Sequence, residues 1–247
     1  MCTLVILRRP EHHWPVLIGA NRDEMIDRKW RPPDRHWPDR PEVVAGLDEL
    51  AGGSWLGVND WGVAAGVLNR HGSLGPAFGL RSRGELVLEA LDHADAAAAA
   101  QALSHLDPAA YRSFNLIVAD SRDAFWLRHA GQSRIELHSV KDGLSMIAAG
   151  DLNDLGTRRL ELALPAFRAW PVPEPDRDDW SAWESLHGST RAPAGEPASS
   201  AMRFRSDGYG TVSSALIAIP AIGRERSPVF RFAGWLPEAT PWQNILL

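Results

Sequence analysis

One cysteine, Cys2, stands among 247 residues, so the chain cannot close an internal disulfide. It needs no oxidising compartment, and the cytoplasm is the expected location. Long apolar runs are missing as well. No stretch approaches the roughly 20 residues of a membrane helix, so no membrane span is expected. The first apolar run, residues 4–7, is too short for the core of a secretory signal and is followed, rather than preceded, by Arg8 and Arg9. A basic excess is also lacking: the net charge is -5. The Arg-rich stretch 28–40 is interrupted by Asp34 and Asp39 and preceded by Asp27, so it reads as a mixed-charge loop. Nucleic acid is therefore not an expected partner, because phosphate binders carry a basic patch or stripe. There is no zinc spacing, phosphate-binding loop or dinucleotide fingerprint. His12 and His13 are adjacent and His36 is remote, which gives no convergent ligand set, and no metal is expected. His105, His129 and His138 read as surface or turn residues.

What is present is a globular composition. Hydrophobic residues make up 45%, and a chain of this size buries roughly 70–75% of the surface its unfolded form exposes. Eleven Trp are an unusual supply. They suit the core and its rim, or else an aromatic-lined cleft.

Short apolar segments alternate with turn residues, which favours strands. Residues 3–7 and 16–20, 54–58 and 62–68, and 114–120 and 124–128 read as hairpins; 145–149, 212–219 and 229–233 read as further strands. Hairpin connections imply antiparallel sheets. Ser82 and Glu85 have capping-box spacing ahead of a helix carried by Val87, Ala90, Leu91 and Ala94 and by an Ala-rich tail to about Leu106. A second helix spans 157–169, with Leu160, Leu164 and Phe167 on one face and Pro165 expected to kink or shorten it. Residues 171–200, rich in Pro, Ser, Gly and acidic side chains, read as an irregular, partly mobile excursion within one domain of residues 1–247; a short Trp-bearing helix near 178–186 fits inside it. Strands interrupted by two helical regions predict an α+β fold with antiparallel sheets.

The position of Cys2 is chemically suggestive. A small second residue permits removal of Met1, which would place a free α-amine on the carbon that bears the thiol side chain. The amine, with a pKa near 7.7–8.0, can take the proton of a thiol with a pKa near 8.5, so one residue supplies both nucleophile and base. The alternative is a small hydrophobe in the first strand.

Further segments carry a resemblance. Asn21-Arg22-Asp23-Glu24 follows an apolar strand. The strings at residues 51–57 (AGGSWLG), 82–86 (SRGEL), 114–116 (FNL) and 210–214 (GTVSS) follow in order. Together they resemble the NRDE family, the transport and Golgi organisation 2 family, over residues 2 to about 214. That family is similar in outline to the choloylglycine-hydrolase and penicillin V acylase branch of N-terminal-nucleophile enzymes, with Cys beside the initiator Met, a strand ending in Arg and Asp, and a hairpin like residues 57–69. The resemblance implies a four-layer αββα sandwich of two antiparallel sheets. It implies Cys2 as nucleophile, Asp23 as the group that orients its α-amine, Arg22 as a positive charge near the sulfur that favours thiolate, and Asn69 as oxyanion donor. Glu24 and Asn115 are read as structural. One feature departs from the acylase pattern. Those enzymes carry a second Asn after a mid-chain strand, whereas this chain has Ala149 and Gly150 there, with Asn153 too late. Two functions follow. The first is a cysteine amidohydrolase acting on a small amide or acyl substrate, with no cofactor required. The second is a non-catalytic protein that binds or moves haem or an acylated lipid metabolite, with Cys2 or a His available as axial ligand.

Overall fold

The computed structural model describes residues 2–223 and 226–247. Its strands, in chain order, are β1 (Thr3–Arg8), β2 (Val16–Met25), β3 (Trp30–Asp34), β4 (Val43–Asp48), β5 (Leu56–Asn59), β6 (Ala64–Asn69), β7 (Phe114–Ala119), β8 (Ala124–His129), β9 (Glu136–Ser139), β10 (Gly143–Ile147), β11 (Arg205–Ser206), β12 (Tyr209–Ile219), β13 (Val229–Gly234) and β14 (Gln243–Ile245). The helices are α1 (Gly84–Leu91), α2 (Ala96–Ser104), α3 (Arg158–Ala169) and α4 (Ser181–His187). One sheet runs β10-β1-β2-β12-β13-β14 with β11 on β12; the other runs β3-β4-β5-β6-β7-β8-β9. Each neighbouring pair is antiparallel.

Strand alternation builds the layers. Leu4, Ile6, Val16 and Ile18 face the second sheet and form the middle core with Leu56, Leu68, Ile117 and Ile217. Val5, Leu7, Leu17 and Leu216 point the other way and pack under α3 and α4. On the far side of the second sheet, Ala65, Leu116 and Val118 pack under α1 and α2. The result is the expected αββα sandwich. Gly19 shows how tightly α4 sits: a Cβ there would lie 2.2 Å from His187 Nε2.

The three expected hairpins form as β1–β2, β5–β6 and β7–β8. Other readings need correction. The mixed-charge stretch 28–40 contains β3, an edge strand that tolerates Pro32 and Pro33 because its outer side has no neighbour to pair with. The expected single helix to Leu106 is two, broken at residues 92–95, where the Asp95 carboxylate caps α2 through Ala98 N (2.8 Å). No capping box forms at α1: the Glu85 carboxylate turns back to Arg81, 2.8 Å from Nε. Helix α3 runs through Pro165 to Ala169, since Pro165 lies on the exposed face while Leu160, Ala163, Leu164 and Phe167 anchor the other. Inside the excursion 171–200 the short Trp-bearing helix is present as α4, and Trp180 and Trp183, at its start, are among the largest fully buried side chains. Trp indoles contribute large apolar area, which is why this Pro-rich segment docks. Among the described residues no helix is long and apolar enough to cross a membrane.

Candidate active site

The alternation that builds the core also sorts the polar residues at the strand ends. Cys2 continues the face of Leu4 and Ile6 and packs against the middle core. Arg22 continues the face of Ile18 and Ala20. The β1–β2 register, with Thr3 opposite Asn21, sets Cys2 beside Arg22 at the same end of the sheet. Thr3, Asn21 and Asp23 have the opposite parity and lie on the helix side. The Cys2 sulfur sits against the Asp23 backbone, 3.4 Å from its N–H and 3.6 Å from its carbonyl oxygen. Met1 lies outside the described residues, and so does the question of its removal.

The Asp23 side chain is fully buried. Its carboxylate accepts from Arg159 Nη1 at 2.7 Å and from Thr211 Oγ1 at 2.8 Å. Arg159 also reaches Thr3 Oγ1 at 3.1 Å. A β-bulge between Thr211 and Ser213 changes the parity of β12, which lets Thr211 face Asp23 while Ser214, further along, still faces Asn21. Asn21 is fully engaged, with His187 and Met202 carbonyls, His187 Nδ1 and Ser214 Oγ as partners.

On the opposite face, Arg22 donates to Asp48 Oδ2 at 2.9 Å and lies 4.2 Å above the Trp55 ring. Asp48 also takes Arg28 Nε at 2.7 Å and caps Leu50 and Ala51 N–H groups, in a turn whose Gly52 has φ of 73°. The buried Arg22 Nη1 has no acceptor among the described residues. Glu24 sits 3.9 Å from Arg22 and 3.8 Å from Arg28, where it balances their charge. Arg22 and Asp23, adjacent in sequence, do not pair with each other.

A cavity of about 560 Å³ opens at this end of the sandwich. Cys2, Arg22, Asp23 and Asn69, the four residues predicted for catalysis, all line it, with Glu24, Tyr209, Arg83 and Arg112. Asn69 ends β6 with the parity of Ala65 and Val67 and its side chain makes no hydrogen bond among the described residues. The Tyr209 hydroxyl donates to the Asp23 carbonyl at 3.1 Å, and burial pushes its pKa up. Burial also pushes the Cys2 thiol up, with the Asp23 charge adding to it and the Arg22 charge opposing it. Arg22 thus acts on the thiol in the expected direction, but desolvation by burial is the larger influence. A second cavity of about 320 Å³, against Phe204, Trp235 and Leu236, holds none of the four.

The missing second Asn has a structural counterpart. Asn115, wholly buried, donates Nδ2 to the Ala148 and Gly150 carbonyls at 2.9 and 2.8 Å, as its structural reading requires. Asn153 is folded back on β10, its Oδ1 accepting from Met146 N at 2.9 Å. Neither lines the cavity.

A sequence profile of the family described as Transport and Golgi organisation 2 matches residues 1–168. The chain belongs to this family. No curated protein sequence matches it. Solved structures with a similar fold include a Caenorhabditis elegans ortholog of N-acylethanolamine-hydrolyzing acid amidase, at 13% identity and TM-score 0.60, covering 96% of this chain and all of that one. Penicillin V acylase from Agrobacterium tumefaciens is 15% identical with TM-score 0.61, covering 99% and 86%. A variant of conjugated bile acid hydrolase from Clostridium perfringens is 11% identical with TM-score 0.56, covering 99% and 92%. At these identities the likeness is one of fold: this family member shares the sandwich architecture of these three hydrolases.

Sequence reasoning missed Asp48, Arg159, Thr211, Tyr209 and Arg83. Arg159 carried a signal, since it stands four residues before Ala163 and eight before Phe167 on the buried face of α3. Thr211 stood inside the family string at 210–214, but its direction was not readable, because a bulge decides it. For haem, the cavity offers Cys2, Met25 and Tyr209 and no histidine. The Tyr209 hydroxyl is given to Asp23 and Met25 lies at the exposed rim, so the donor set does not favour haem iron. Among the described residues no group of three or more His, Cys, Asp or Glu could hold a metal ion.

Proposed function

We propose that this protein is a cysteine amidohydrolase that cleaves the amide bond of a small acyl substrate, with Cys2 as nucleophile. The observation that carries the reading is the division of labour across β2: sulfur and guanidinium share the cavity face, while a sealed carboxylate lies behind them. Removal of Met1 gives Cys2 a free α-amine. That amine takes the thiol proton, and the thiolate attacks the substrate carbonyl. Asn69 donates to the oxyanion that forms, and such a donor is worth roughly 2.7–4 kcal/mol in enzymes where one has been removed. The ammonium returns its proton to the leaving amine as the C–N bond breaks. Water, deprotonated by the same α-amine, then cleaves the thioester and frees the acid. Asp23, held by Arg159 and Thr211, is a fixed charge for orienting the ammonium.

Intact mass and covalent labelling test this. The purified chain should lack Met1 and react once with an acylating probe, and Cys2→Ala should abolish the adduct. A retained Met1 with an unreactive thiol would sink the reading. The absence of Asn115 and Asn153 from the cavity lining favours one competing reading, an acylated metabolite held without turnover. Saturable binding with no Cys2 adduct would decide for it.

A further inference from the structure

The arginines around the cavity are not equally balanced. Arg22 and Arg28 face Asp48 and Glu24. Arg81 pairs with Glu85 and Glu89 on α1. Arg83 and Arg112 also line the cavity, and neither has a carboxylate partner among the described residues. Arg83 Nη1 donates to the Ser73 carbonyl at 2.7 Å, the Ser73 hydroxyl at 2.9 Å and the Ser113 carbonyl at 3.1 Å. Arg112 Nη1 donates to the Leu74 carbonyl at 2.6 Å and its Nη2 to the Gly72 carbonyl at 2.8 Å. Each guanidinium therefore holds the backbone of residues 72–76 with one edge and keeps its Nε–H uncommitted among the described residues. Backbone carbonyls orient a guanidinium but leave its whole charge in place. Burial first, and the Arg112 charge second, draw the Arg83 pKa down to about 10, which leaves it protonated at neutral pH. The charges of Cys2 and Glu24 act on Arg83 as well, so it stands near the reacting end of the cavity. On a chain of net charge -5, two unbalanced cations meet at one cavity wall.

We propose that the substrate carries an anionic group, a carboxylate or a phosphate, and that Arg83 and Arg112 receive it. Clamping a loop does not require two neighbouring full charges, and their mutual repulsion raises the cost of the arrangement. An anion between them removes that repulsion and gains charge-assisted hydrogen bonds. The same surplus would steer an anion towards the cavity of an otherwise acidic protein. The proposal deepens the amidohydrolase reading by naming a substrate class, and it rests on that reading for the cavity being the substrate site.

The test is calorimetric titration of the full chain carrying Cys2→Ala with three soluble probes: N-octanoylglycine, N-octanoyl phosphoethanolamine and the neutral N-octanoylethanolamine. At low salt at least one anionic probe should bind about tenfold tighter than the neutral one, with the advantage shrinking as salt rises. Whichever anion is preferred separates carboxylate from phosphate. Arg112→Gln should remove most of that advantage and leave neutral-probe affinity alone. Arg83→Gln should do the same, and Arg83→Lys should restore part of it should the Gln variant fold poorly. Equal affinities, no binding of either anion, or a loss shared equally by the neutral probe would overturn the proposal, the last leaving the two arginines as loop clamps. Labelling of Cys2 in the native chain is read separately, so anion binding without labelling would sink the hydrolase reading and keep the anion site.

Discussion

The two faces of β2 carry polar side chains from one tetrapeptide, yet they differ in kind. On the helix side, Asn21 and Asp23 are locked by His187, Ser214, Arg159 and Thr211. On the cavity side, Arg22 keeps a buried N–H without an acceptor among the described residues, and the Cys2 sulfur has the Asp23 backbone as its hydrogen-bonding partner there. The difference comes from what lies opposite. Helices α3 and α4 bring matching polar groups into contact with the first face. Against the second face lies a cavity that Trp55, Val67 and Asn69 of the other sheet also line. The lesson is that charge and burial alone do not distinguish the two faces; unused hydrogen-bonding capacity beside open volume does.

The comparison can be broken most severely at Asp23. Asp23→Ala leaves Arg159 buried without its carboxylate, and urea denaturation should show a loss of about 3–5 kcal/mol. An unchanged midpoint would mean that the helix side is no lock at all. Asn69→Ala probes the opposite pattern. With no side-chain partner among the described residues, it should change stability by less than about 1 kcal/mol. Turnover of an amide substrate should fall about 10²–10³-fold, or about 2.7–4 kcal/mol in the barrier. A stability loss with intact turnover would move Asn69 to the structural side.

His187 sharpens the comparison through pH. Burial holds its pKa down to about 3, against 6.5 for the free side chain. Between those values the unfolded chain binds a proton that the folded chain refuses. Its neutral form is thus no liability above pH 6.5, and stability falls as pH drops from there towards 3, by up to about 1.4 kcal/mol per unit. Denaturation midpoints across that window should show the slope, and His187→Gln should flatten it. The smallest effect is expected at Arg22. Alkylation of Cys2 by iodoacetamide should have its midpoint above the ordinary thiol value. Arg22→Gln should move it a little higher, because one opposing charge is lost while burial remains. A midpoint below the ordinary value would show that the guanidinium, not desolvation, governs the sulfur.

Much of the fold was legible because it rests on local periodicity. Residues 3–7 and 16–20 alternate in a way only a two-faced strand explains, and they pair as β1 and β2. The NRDE string falls at the end of β2, where Arg22, Asp23 and Glu24 line the cavity. The helix expected to run to Leu106 was harder, since Ala-rich composition is helical on either side of the Asp92–Asp95 break and only the Asp95 cap divides it. β3 was hidden because its neighbours, not its residues, make it a strand. Trp180 and Trp183 sit in a segment whose composition argues against order, and their burial depends on a surface supplied by β1, β2 and α3.

The amino-acid sequence by itself determined the alternating strands, the placement of Cys2 at a strand start and of Arg22 and Asp23 at a strand end, and so which of them share a face. Periodicity and adjacency are properties of the chain. Tertiary structure alone decided that Arg159 and Thr211 seal Asp23, that desolvation outweighs Arg22 at the thiol, and that Arg83 and Arg112 reach the same cavity. Those outcomes depend on distances between segments remote in sequence, and on the water excluded when they meet.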